Sequence, residues 1–500
     1  MKRVKVAIVL HMHQPFYENP MTGEIELPWV RLHAVKDYWR IIDHFARFGV
    51  KVNVTLTPSL AVQIYDYSFD RDSWWKLTLK DPDKLTPAER GFILNVLTKM
   101  VPKWAAQKFS RLRSVLESDV VEDDDVRDVQ FLFNLAWFYP GEIEADPTLK
   151  NLMDRGRAYT SEDFEVIRKA TAKYMKRVLE FYKEDVVECV GVPYAHPILP
   201  LLIDLSEAKI SDPTNSVNLP EFKRLRDAEK HIDKAFEIYA DLGLEVKGFW
   251  SPECAVSNDS LRLLAGKGIE YTITDESLLY KTWYGSPQAP AKAVNLTHRP
   301  YKHSSGITLF FRNKVISDTW SFVYSQLSGK DAASDFFRKL EEQLMFAEGE
   351  EILVVVALDG ENCWEHFEDE GREFLDEMLG ILASSKEFVS VWLSEVKDFN
   401  IEQLPRIEPG SWVWANFNVW AGHTEDALAW RYLAKVRDMV TEPNEYILRA
   451  EASDWFWWYG EDFFTLNADT FDRLFRDNLK AALLKENREV FELLDKPIKR

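Results

Sequence analysis

Short apolar segments alternate with amphipathic ones through the first 390 residues, and this alternation restricts the fold more than any other feature of the chain. The β-branched runs at 4–10, 50–56, 186–190, 246–250, 271–274, 307–311 and 352–358, with a further one at 388–393, read as strands. Helical patterns lie between most of them, for example at 32–48, 221–242, 260–266 and 332–347. Strands that are apolar throughout must be covered on both faces, and amphipathic helices supply that cover. The pattern therefore predicts an α/β fold with a parallel sheet. Seven or eight such units would close into a (β/α) barrel, complete or incomplete.

One connection is too long for a simple crossover. Between residues 61 and 184 the chain reads helical and acidic, with the run Glu122–Asp125 as a solvated face, and we expect a helical insertion there. The proline-bearing IEQLPRIEPG then marks a linker. Beyond it, 426–440, 444–452 and 469–494 read helical and strand-free. The expected division is a barrel over 1–397 and an all-α domain over 398–500.

Composition narrows the partners. With 62 basic and 82 acidic side chains the net charge is −20, which disfavours nucleic acid and anionic membrane. Three cysteines (Cys189, Cys254, Cys363) cannot build a disulfide framework or a cysteine-based zinc site, in keeping with a reducing compartment. The apolar run after MKRVK is too short for a secretory leader, and nothing approaches a membrane span. A soluble cytoplasmic protein is expected. Its 18 Trp, 18 Tyr and 31 Phe supply flat faces of the kind that hold sugar rings. The abundance of Glu and Lys fits a thermophile.

Chemistry gathers where strands end. The first strand runs into His11-Met12-His13-Gln14, the third into His196, and the fourth into Trp250-Ser251-Pro252-Glu253. The fifth ends at Asp275, the sixth at Arg312 with Asp318 beyond, and the seventh at Asp359-Gly360-Glu361. In a parallel barrel these ends share one rim. Glu253 follows an aromatic strand and Asp359 an aliphatic one. A protonated and an ionised carboxyl facing each other are what glycosidic cleavage needs. For either residue alone, an ion pair or a helix cap is the ordinary alternative. An arginine such as Arg312 beside a catalytic carboxylate would keep it ionised. His11 and His13, two apart on an extended segment, face one way. They suit hydroxyl binding, a His/carboxylate metal site with His196, or core packing. Trp412, Trp414, Phe417 and Trp420, then Asp454-Trp455-Phe456-Trp457-Trp458, either pack between domains or reach the rim.

HMHQPF, PYAHPILPLL, GFWSPECAVS, FFRNKVISD, ALDGENCWEHF and EASDWFWWYG resemble, in order, the motifs of glycoside hydrolase family 57, over residues 11 to 460. The resemblance implies an incomplete seven-stranded (β/α) barrel whose active site is completed by a helical C-terminal domain. It implies a retaining mechanism on α-glucans with Glu253 as nucleophile and Asp359 as general acid/base, their carboxyls about 5–5.5 Å apart. His11, His13, His196, Trp250 and Asp454 fall at positions of substrate contact. Gln14, Arg312, Asp318, Glu361, Trp412, Trp420 and Trp455 complete the expected substrate-binding set. No cofactor and no metal are expected.

Within the family the motifs are most similar to amylopullulanases and their α-amylase relatives, which predicts α-1,4 and α-1,6 cleavage in starch, glycogen or pullulan. A 4-α-glucanotransferase on the same scaffold is one alternative. A metal-dependent polysaccharide hydrolase or deacetylase using His11 and His13 is another, and an inactive glucan-binding protein a third. The sequence leaves the oligomeric state open.

Overall fold

A computed structural model describes residues 2–118, 120–288, 290 and 293–499. Seven parallel strands form the barrel wall: β1 (Arg3–Met12), β2 (Val52–Leu56), β3 (Val187–Val190), β4 (Gly248–Trp250), β5 (Tyr271–Asp275), β7 (Thr308–Arg312) and β8 (Glu351–Asp359). Three further short strands are β6 (Tyr301–His303), β9 (Phe388–Ser390) and β10 (Glu402–Leu404). The α/β barrel expected from the apolar alternation is the fold observed.

The ring is uneven. β8 and β1 pair along nine registered positions, from Arg3↔Glu351 to His11↔Asp359. By contrast β3 meets β4 only through a bridge between Gly191 and Phe249. β7 meets β8 only at Arg312↔Val355. At the first of these seams the backbones approach through Gly191 N–H to Gly248 O at 2.9 Å and Trp250 N–H to Gly191 O at 2.7 Å. A side chain on either glycine would collide with a ring: a Cβ on Gly248 would lie 2.0 Å from Tyr271, and one on Gly191 2.4 Å from Phe249.

Strand parity sets what faces the axis. Ala7 and Val9 of β1, Ile273 of β5, Phe310 of β7, and Leu353, Val355 and Ala357 of β8 form an inner cluster with Val190 and Trp250. Alternate residues point the same way. The next inward positions are therefore His11 on β1, Asp275 on β5, Arg312 on β7 and Asp359 on β8. Val391, Leu393 and Val396, after β9, join the same inner cluster and fill the floor of the barrel. A larger cluster packs the outer sheet face against the helices.

Between β2 and β3 every regular element among the described residues is helical, from Pro58–Tyr65 to Ser161–Phe181. The helix expected over 32–48 is two helices, Trp29–Lys36 and Tyr38–Phe48, broken at Asp37. Asp37 is fully buried and paired with Lys36 at 3.1 Å and His33 at 2.7 Å. The linker is not strand-free either, because β10 pairs in parallel with β6, which runs antiparallel to β7. After it come the helices Thr424–Met439, Glu445–Ala450, Ser453–Trp457 and Ala468–Lys485. Among the described residues no helix is long and apolar enough to cross a membrane.

Candidate active site

The strand ends open into a cavity of about 460 Å³ lined by His11, His13, His196, Trp250, Glu253, Arg312, Asp318, Asp359, Glu361, Trp412 and Asp454. A larger, more open groove of about 780 Å³ lies outside the barrel, between the insertion and the helix Arg372–Ser384. Six carboxylates line it, together with Lys108 and Arg372.

Asp359 enters the cavity by strand parity, whereas Glu253 enters by a turn. Its backbone is left-handed (φ 56°, ψ 28°), and so is that of Cys254 (φ 50°). A non-glycine residue pays about 1–3 kcal/mol for such a conformation, so neighbouring contacts must hold it. Trp412 N–H donates to Glu253 O at 3.2 Å, and Val256 and Gly410 exchange backbone bonds at 3.0 and 3.2 Å. A matching pair, Ala195 (φ 61°) and His196 (φ 60°), carries the third imidazole. It is held by Ser453 N–H to His196 O at 3.0 Å and by a bridge between Pro197 and Ala452. Two segments from beyond residue 400 thus clamp the two strained turns.

Two donors converge on the Glu253 carboxyl: Trp412 Nε1 on Oε2 at 2.9 Å and Ser453 Oγ on Oε1 at 3.5 Å. Burial pushes this carboxyl up to about 8. The Trp412 bond opposes the rise, while the charges of Asp454 and Asp359 add to it. The Asp359 side chain is exposed to the cavity, yet the protein packed around the cavity raises it, against the pull of Asn362 Nδ2 at 2.9 Å and the charges of His13 and Arg312. Glu361, 3% exposed, is raised far above the usual carboxylate range by burial and then by Asp359. Its Oε1 accepts from His13 N–H at 3.1 Å and its Oε2 has no partner among the described residues.

The histidines form one stack. His13 and His196 lie face to face with centroids 4.0 Å apart, and His11 stacks on Trp250 at 4.8 Å. His11 Nε2 meets His196 Nε2 at 3.1 Å, and His13 Nε2 meets Asp454 Oδ1 at 2.8 Å. Burial depresses His11 and His196 well below the usual imidazole value, and neighbouring imidazoles add to it, so both are neutral.

Several expectations need correcting. Arg312 does not sit on Glu253: it pairs with Asp318 and, at 3.5 Å, with fully buried Asp275. Trp420 and Trp455 do not line the cavity. Both are buried, Trp420 tilted against Trp457 at 5.7 Å and Trp455 donating Nε1–H to Arg449 O at 2.7 Å. Gln14 lies behind the wall, accepting from Tyr17 Oη at 2.6 Å. Among the described residues of the cavity, the three groups close enough together to hold one ion are His13, His196 and Asp454, without His11.

The cavity also contains side chains outside the expected set: Ser321, Phe322, Asn362, Trp457, Trp458 and Phe463. Helical spacing carried the signal for most of them. Asp454, Trp457 and Trp458 stand at i, i+3 and i+4, as do Asp318, Ser321 and Phe322, and each set shares one helix face. Phe463 stacks on Trp457 at 4.2 Å and Trp457 on Trp412 at 6.1 Å, a column of rings ending at the indole that holds Glu253.

The family model for glycosyl hydrolase family 57 matches residues 7–407. A branching enzyme of this type from Pyrococcus horikoshii has the same fold at 17% identity, with a TM-score of 0.59 and 99% of this chain and 94% of that one covered. The α-amylase AmyC from Thermotoga maritima matches at 17% and 0.59, covering 99% and 96%. A 4-α-glucanotransferase from Thermococcus litoralis matches at 15% and 0.55, covering 96% of this chain and 60% of that one. No curated protein gives a significant sequence match. The protein is thus a glycosidase in class. Within that class, the chain belongs to glycosyl hydrolase family 57.

Proposed function

We propose that this enzyme cleaves α-glucans with retention of configuration, Asp359 acting as general acid/base and Glu253 as nucleophile. The observation that carries the reading is that these two carboxyls, from β8 and from the turn after β4, line one cavity. Asp359 protonates the glycosidic oxygen while Glu253 attacks the anomeric carbon. Asp359 then takes a proton from water, which releases the sugar from Glu253. Burial lifts Glu253, the charge of Asp359 raises it further, and Asp359 is itself raised, so the pair favours sharing one proton. Trp412 and Ser453 donate to Glu253 and so stabilise its ionised form. Glu361, raised by burial and with Oε2 unpartnered among the described residues, is assigned to a sugar hydroxyl as well. The imidazoles and Asp454 take further hydroxyls.

The substrates we assign are starch, glycogen and pullulan, with α-1,4 cleavage and α-1,6 debranching of the amylopullulanase type. Proton NMR of maltoheptaose hydrolysis is expected to show the α-anomer first, and pullulan is expected to yield maltotriose. Initial β-anomer would remove the double displacement. The apolar wall of Phe322, Trp457, Trp458 and Phe463 supports a second reading, in which a sugar acceptor replaces water as in the 4-α-glucanotransferase of similar fold. Products longer than maltoheptaose would mark that activity.

Trp412→Phe keeps the ring column and removes the N–H. Losing a donor that favours the anion lets Glu253 hold its proton to higher pH. Since attack needs the carboxylate, the acidic limb of kcat/KM should move up by about one pH unit. A limb that stays or moves down would mean that a different group must ionise.

A further inference from the structure

We propose that the His13–His196–Asp454 cluster is a binding site for a borderline or soft divalent cation, zinc being the type, and that the ion shuts the enzyme by occupying the place of a sugar. The occupancy of the pocket by sugar rests on the α-glucan reading above; the metal site rests on the donor set alone.

The ligand atoms of these three residues lie within 4.8 Å of one another. Each imidazole is gripped from behind: His11 Nδ1 by Thr55 Oγ1 at 2.8 Å, His13 Nδ1 by Thr57 Oγ1 at 3.1 Å, and His196 Nδ1 by Ser453 Oγ at 2.8 Å. All three therefore turn Nε2 inward. An outer hydroxyl on the remote ring nitrogen is the arrangement that orients imidazole ligands toward a metal. For His196 the protons can be assigned. Ser453 has one hydroxyl proton and gives it to Glu253, so its oxygen accepts from His196 Nδ1–H. The lone pair of His196 Nε2 then points into the cluster, where it accepts from His11 Nε2–H at 3.1 Å, a bond that the ion has to replace.

Asp454 supplies the anion. Its Oδ1 accepts from His13 Nε2, and its Oδ2 is buried without any partner among the described residues. Two imidazoles and a carboxylate, with the cavity side left open, are a donor set for zinc, nickel or copper rather than for calcium or magnesium. The cavity supplies the entry path. The contrast with the other three-group cluster, His33–Asp37–Glu365, is informative. There Lys36 Nζ already lies 3.1 Å from Asp37, 3.3 Å from Glu365 and 3.0 Å from Glu370, so that site carries its own cation.

Binding has two consequences. The ion takes the His13 Nε2 lone pair, so the imidazole proton has to sit on Nδ1, where Thr57 Oγ1 accepts it. It also has to splay the His13–His196 stack, now 4.0 Å between centroids, and with it the carboxylate that serves the sugar.

The test is calorimetric titration of the full chain with zinc chloride, with and without maltoheptaose. One zinc per chain, weakening by maltoheptaose and a loss of affinity of about tenfold or more in His13→Gln and Asp454→Asn are the expected results. Cobalt(II) added instead should give visible bands that the same variants remove. Absence of binding at millimolar zinc, or binding that neither variant changes, would overturn the site. Activity that depends on added zinc would overturn the inhibitory role. Binding lost in both variants yet indifferent to maltoheptaose supports the metal site and counts against the glucan reading of the pocket.

Discussion

Glu253→Gln is expected to lower turnover on amylose by about 10³-fold or more, equivalent to about 4 kcal/mol of transition-state stabilisation. The amide is nearly isosteric: its oxygen can still accept from Trp412 Nε1–H, and its NH2 can donate to Ser453 Oγ, so the turn and the cavity survive. What disappears is the charge that attacks the anomeric carbon. Substrate binding, measured by calorimetry with maltoheptaose on the inactive variant, should stay within a few-fold of the parent. Asp359→Asn should fail differently. Its loss should shrink for substrates whose leaving group needs no proton, and added azide should restore turnover by replacing water. Activity surviving in Glu253→Gln would remove Glu253 from the nucleophile's role, whatever the rest of the cavity looks like.

The second large effect concerns the join between the barrel and the segment beyond residue 400. Arg437 grips Asp227 through Nε at 2.6 Å and Nη2 at 3.0 Å, and also donates to Val440 O at 2.7 Å. Beside this pair His231 Nε2 meets Glu451 Oε2 at 2.9 Å, both side chains fully buried. Arg437→Met leaves the Asp227 carboxylate buried without its cation. Removing one partner of such a pair costs about 3–5 kcal/mol. The midpoint of denaturant unfolding should fall accordingly, and Asp227→Asn in the same chain should recover part of the loss. A change below about 1 kcal/mol would show that solvent reaches the pair. Glu451 precedes the Ala452–Ser453 segment that clamps His196, so the variant should also lose activity before it unfolds.

Much of this architecture was legible in the sequence, for a physical reason. Strands buried on both faces leave unbroken apolar runs, and the seven wall strands fall where such runs occur. β6 and β10 were not legible: Tyr-Lys-His and Glu-Gln-Leu are three residues each, with a polar side chain at the centre. Strand parity placed His11 and Asp359. Nothing local announced that Glu253 turns inward through a left-handed residue, or that Ser453 touches both His196 and Glu253. The tryptophans were the main misreading. Trp455 and Trp457 look alike as composition, but two residues along a helix is more than half a turn, so one faces the core and the other the cavity. Arg312 lines the cavity but does not reach Glu253, because a partner six residues away on the following helix competes successfully with a distant carboxylate.

The thin seams of the ring have a mechanical consequence. They divide the wall into two shells, β8-β1-β2-β3 and β4-β5-β7, with Asp359 and the imidazoles on one and Glu253 on the other. The span between the two reacting oxygens is therefore not locked by a continuous ladder. It is set like the gap of a pair of tongs, by whatever grips the handles, and in this molecule the grip is the pair of C-terminal straps at 410–412 and 452–453.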